Sequence, residues 1–133
     1  MLSDAPRRAV IVTSGDPETL IEMARASREA LESGSAVRVF FRDESIPAIC
    51  KAEVAARLVP ESLATSIAAT RNAVEAAVQA LASGGDARLY ACSSSLYIWG
   101  VDAGDLISAI TGARGLIAFL ADDLAGASEV LTY

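Results

Sequence analysis

Cys92 follows Leu89-Tyr90-Ala91 and precedes Ser93-Ser94-Ser95, so a thiol and three hydroxyls stand where an apolar, strand-like run ends. In an open α/β sheet the carboxyl ends of the strands face the usual ligand crevice. A cysteine placed there can serve as a nucleophile or a sulfur carrier if its thiolate is favoured and a partner can reach it. The hydroxyls of Ser93, Ser94 and Ser95 can hydrogen-bond an anion, and backbone N–H groups would add partial positive charge if a helical turn begins there. The competing account is a small buried side chain, because free cysteine is among the most buried residue types. Just past the thiol, Tyr97, Ile98 and Trp99 form an apolar cluster suited to a pocket lining, a subunit interface or plain core packing.

The other chemistry-bearing residues are sparse. Cys50 is the second of two cysteines, too few for a disulfide framework, so free thiols in a reducing compartment are expected. The chain has no histidine, which excludes Ser-His and Cys-His pairs within one chain and histidine-based zinc sites. Ser14-Gly15-Asp16-Pro17 sits where phosphate loops sit, but it lacks their glycines and lysine, and Asp16 would repel phosphate. An ordinary capped turn is the better account, and no flavin, nucleotide or other cofactor is expected. Asp43-Glu44 and Asp122-Asp123 are neighbouring acids without a shaped loop to converge them on a cation, so both pairs are read as solvated and no metal is expected.

The positioning elements follow from apolar periodicity. Arg8 to Thr13 predicts a buried strand around Ala9-Val10-Ile11-Val12. Asp16 and Pro17 then open a helix with Leu20, Met23, Ala24, Ser27, Ala30 and Leu31 on one face, stopped by Gly34. Val37 to Phe41 is the second strand. From Arg42 to Pro60 the pattern is weak, and a short helix from Ser45 and Pro47 through Cys50 and Val54, closed by Pro60, is the reading. Leu63, Ile67, Thr70, Val74, Ala77 and Leu81 keep a helical period up to Gly84-Gly85, and Ala87 to Cys92 makes the third strand. Asp102 is expected to cap a short helix carrying Leu106, Ile107 and Ile110. Leu116, Phe119, Leu120 and Leu124 mark a last helix ending at Gly126, before a strand from Glu129 to Tyr133. This alternation predicts a three-layer α/β domain around a mainly parallel sheet, one domain over residues 1–133.

Charge and hydropathy bound the partners. A net charge of -6, with one lysine among eleven basic residues, argues against nucleic acid. The longest uncharged run, Leu89 to Val101, is too short and too rich in serine to span a bilayer. No apolar leader follows Arg7-Arg8, so a cytoplasmic protein is expected.

The order of these pieces resembles the DsrE/DsrF-like family, which includes TusD-type sulfur-relay subunits and YchN-like proteins. The likeness is carried by Val10-Ile11-Val12-Thr13-Ser14-Gly15, Val37-Arg38-Val39-Phe40-Phe41, the Leu89-Tyr90-Ala91-Cys92 strand end, Gly100-Val101 and Ala127-Ser128-Glu129-Val130-Leu131-Thr132-Tyr133. The resemblance implies a flavodoxin-like sheet, assembly into trimers or hexamers, sulfur donor and acceptor proteins as partners, and a persulfide carried on Cys92. Trp99 stands where relay members tend to have an arginine before the glycine. A guanidinium there would favour thiolate and hold an anionic sulfur species, and indole does neither. In this reading Ser93 to Ser95 position the sulfur, Tyr97 and Trp99 screen it from water, and the carrier need not be a turnover enzyme. The alternative is a non-catalytic oligomeric module binding a small ligand or a protein. The functional reading of Cys50 is a resolving thiol for Cys92, within the chain if loops bring it close or from another subunit. In a flavodoxin-like 2-1-3 strand order, however, about 10 Å would separate it from Cys92, beyond the roughly 7 Å Cα limit of a disulfide. Burial is the expected role of Cys50.

Overall fold

The computed structural model describes the backbone of residues 6–59 and 61–133 and the side chains of residues 6–59 and 70–133. Pro60 and the side chains of Leu63 and Ile67 therefore lie outside the described residues. Strand β1 (Arg7–Val12) leads into helix α1 (Pro17–Glu32), and β2 (Ala36–Phe41) pairs with β1 in parallel from Arg7↔Ala36 to Val12↔Phe41. Asp16 caps α1 as its spacing predicts, with the Thr19 N–H donating to Oδ2 at 3.0 Å and Pro17 at the start of the helix. Leu20, Met23, Ala24, Ser27 and Ala30 form the buried face.

After β2 come a 3-10 segment (Asp43–Ile49), helix α2 (Ala52–Leu58) and the long helix α3 (Glu61–Ala82). The short helix expected through Cys50 is thus two pieces. Cys50 interrupts them with extended backbone that forms an antiparallel bridge to Leu106. Strand β3 (Ala87–Cys92) is followed at once by helix α4 (Ser93–Trp99), then by the short strand β4 (Gly112–Arg114). Helix α5 (Leu116–Phe119) continues into a π-helical turn (Leu120–Leu124), and β5 (Glu129–Thr132) completes the sheet.

All strand pairings of the sheet are parallel, in the order β4-β3-β2-β1-β5, and helices cover both faces. The architecture is three-layer α/β and flavodoxin-like. The expected 2-1-3 order is corrected: β3 lies beside β2, because the connection through α3 advances the chain one strand further from β1. A second correction concerns Asp102. It opens only a 3-10 turn, Ala103–Asp105, closed by a reciprocal cap with Asp105. Leu106 and Ile107 then run on outside any helix, bonded to the Cys50 segment, with the Ile107 N–H donating to Ile49 O at 2.9 Å.

Strand alternation divides the core. Val10, Val12, Val37, Val39, Phe41, Leu89 and Ala91 face the layer of α1 and α3, whereas Ala9, Phe40, Tyr90 and Cys92 face Phe119. The two cysteines therefore belong to clusters on opposite faces of the sheet.

Candidate functional site

Cys92 is the last residue of β3 and the N-cap of α4, so the strand end and helical turn expected around it are both present. Its side chain is 3% exposed and packs with Ala9, Phe40, Tyr90 and Phe119. Phe119 stacks on Phe40 with centroids 4.8 Å apart and meets Tyr90 edge-on at 6.4 Å. These rings screen the thiol. Tyr97 does not: it is 87% exposed, on the helix that leads away from the strand end.

Two arginines distant in sequence stand on either side of the end of β3, one in β4 and one just past β2. Arg114 of β4 is the register partner of Cys92, and paired residues of neighbouring parallel strands point to one face. Its guanidinium carbon lies 5.1 Å from the centroid of the Tyr90 ring. On the other side Arg42 continues β2 in extended backbone, its N–H still bonded to Val12 O at 2.9 Å. Alternation from Phe40 assigns it to the Cys92 face. The Nε atoms of Arg42 and Arg114 are buried without a hydrogen-bond partner. Each faces a carboxylate oxygen at 3.3 Å, that of Asp43 for Arg42 and that of Asp123 for Arg114.

Asp123 departs from the expectation of a solvated acid. It is the buried residue of the last helical turn, 3.3 Å from Arg114 Nε and 3.7 Å from Arg38 Nε. Asp122, the exposed neighbour, pairs with Arg114 Nη2. The two acids tie the turn after α5 to the sheet and fix the Arg114 side chain.

The three serines separate in role. Ser93 and Ser94 are exposed at the start of α4, whereas Ser95 is buried and its Oγ accepts from the Asp43 N–H at 3.1 Å. Trp99 Nε1 donates to Asp43 O at 2.9 Å. Asp43 has φ of 54°, the left-handed region that non-glycine residues rarely adopt. Ser95 and Trp99 therefore clamp a strained turn immediately after Arg42, from a helix fifty residues on. Instead of supplying charge, Trp99 fixes the backbone next to Arg42.

Cys50 is fully buried on the other face, where its Sγ donates to Ile46 O at 3.2 Å. The structure does not bring it to Cys92, and a resolving role within one chain is corrected on that ground. Burial pushes its thiol up from 9.0 to about 11, against the opposing charge of Arg71. The folded chain then keeps a proton that the unfolded chain releases, so this contribution is whole below pH 9.0 and is lost as the pH rises through about 11. Across that interval the wild type is expected to lose roughly 2–3 kcal/mol more than Cys50→Ala. Urea unfolding of both proteins over that range checks it, and parallel pH profiles would refute it.

Sequence reasoning missed Phe119 as a neighbour of the thiol, Arg114 as the register partner of Cys92, and Arg42. Arg42 sits just past a strand, and Arg114 ends a three-residue strand, Gly112-Ala113-Arg114, too short to carry a period.

No family model matches the sequence, and no curated protein matches it. Among solved structures the chain is similar to that of MTH1491, a protein of unknown function from Methanobacterium thermoautotrophicum. The identity is 15%, the TM-score is 0.67, and the match covers 95% of this chain and 98% of that one. At that identity the likeness shows the fold.

Proposed function

We propose that this chain is a DsrE-like carrier of reduced sulfur, holding a persulfide on Cys92 as part of a cytoplasmic homo-oligomer, a trimer or hexamer. The observation that carries the reading is the placement of Cys92 at the carboxyl end of β3, with Arg114 as its register partner and Arg42 just past the end of the neighbouring strand. Guanidinium groups can hold an anionic sulfur species.

The step is a transfer without external oxidant. The Cys92 thiolate attacks the outer sulfur of a donor persulfide, R–S–SH. The donor S–S bond breaks, the donor leaves as R–S⁻, and Cys92 becomes Cys–S–SH. Attack by an acceptor thiolate on that outer sulfur repeats the exchange and restores Cys92. Ser93 and Ser94, exposed at the start of α4, border the place where the group emerges. The thiol is 3% exposed, so loading requires α5 and its Phe119 to move aside.

The oligomer reading rests on exposed apolar side chains near the same sheet end. Tyr97 and Ile98 of α4 are 87% and 81% exposed, and Ile117 of α5 is 79% exposed. Large apolar groups in this position suit an interface that would close over the thiol. Among the described residues no helix is long and apolar enough to cross a membrane.

The burial of Cys92 favours a second reading, an oligomeric module that binds a small ligand or a protein and uses the cysteine only for packing. Exposure to a small persulfide donor, read by intact mass, separates the two. The carrier gains one sulfur, Cys92→Ser gains none, and Arg114→Met loads more slowly. A wild type that gains no sulfur until it is denatured is the module.

A further inference from the structure

On the face of the sheet opposite Cys92, the carboxyl-end loops and helices border a partly open cavity of about 250 Å³. Leu20 of α1, Pro47, Ala55 of α2, Val74 of α3 and Trp99 of α4 give it apolar walls. One wall residue carries a largely buried positive charge. The Arg71 side chain is only 10% exposed, yet it lines this apolar space. It donates through Nη2 to Cys50 O, and the same Nη2 lies 3.6 Å from Glu75 Oε1. Both contacts use one nitrogen of three, and a guanidinium presents five donors in a rigid fork that matches a carboxylate.

We propose that this cavity binds a small monocarboxylic acid with an apolar body, the carboxylate on Arg71 and the body against Trp99 and the aliphatic walls. Size, position and charge each bear on the ligand. Apolar cavities of about 150 Å³ take benzene, so this one has room for roughly ten non-hydrogen atoms. It opens among the segments that follow β1, β2 and β3, where ligands of open α/β sheets bind. Glu44, exposed and also on the lining, would repel a second negative group, which selects a mono-acid over a di-acid. The site lies across the sheet from Cys92 and does not depend on sulfur chemistry there.

Trp99 is the chain's single tryptophan and reports directly on the cavity. Its fluorescence in the full chain, titrated with octanoate and separately with octanol, tests the proposal. Octanoate is expected to saturate the signal about tenfold or more tighter than octanol, since a charged hydrogen bond to Arg71 is made only by the acid. Arg71→Met, which keeps the stem packing, is expected to abolish that preference. Equal affinities in the wild type, tighter binding of octanol, or no saturable signal with either would overturn the proposal. So would an octanoate preference that survives in Arg71→Met.

Discussion

Phe119→Ala is expected to lower the folding stability by about 3–5 kcal/mol, the range for removing a buried aromatic ring. Phe119 is fully buried, stacks on Phe40 and meets the edge of Tyr90. It anchors the short helix that covers the Cys92 face of the sheet. The effect therefore has two readouts. Urea unfolding measures the stability loss, and thiol labelling under native conditions measures the uncovering of Cys92. Cys50, held in the other cluster, is expected to stay protected in the same variant until global unfolding. A loss below about 1 kcal/mol, or labelling of Cys92 at the wild-type rate, would mean that Phe119 is not the cover.

Gly15→Ala is the second large effect, expected at about 2–3 kcal/mol from forced overpacking. A Cβ at Gly15 would sit 2.5 Å from Glu44 O and 3.4 Å from its carbonyl carbon. Backbone cannot swing away as a long side chain does, so the segments following β1 and β2 must separate. Gly15 and Glu44 both border the Trp99 cavity, and octanoate binding is expected to weaken with the stability. Gly104→Ala is the control, since nothing lies within 4 Å of its added Cβ and its φ is not in the left-handed region. Thermal unfolding of the two variants side by side decides the point, and equal melting temperatures would contradict it.

Much of the scaffold was legible because it is local. Ala9-Val10-Ile11-Val12, the Asp16-Pro17 start and the period from Leu20 to Ala30 each state their structure within a few residues. The placement of Cys92 at a strand end was readable for the same reason. Long-range geometry was not. The order of the strands depends on where α3 sets down β3, which no segment encodes by itself. Leu106 and Ile107 carry a helical pattern, but the bridge to Cys50 claims their backbone instead. Arg114 comes beside Cys92 only through β3–β4 pairing, and Trp99 reaches Asp43 across 56 positions. Asp123 looks like a surface acid on a helix until the arginines of β2 and β4 are brought beneath it. The side-chain types at the site were thus visible, while the arginines that stand on either side of the end of β3 came from tertiary structure.

Peptide mapping by mass spectrometry, after the native protein meets a small persulfide donor, tests the central claim most directly. The expected result is one added sulfur on the peptide containing Cys92, removed by a thiol acceptor, with Cys50 unmodified. Sulfur on neither cysteine, or on Cys50 in place of Cys92, would contradict the assignment of Cys92 as the carrier.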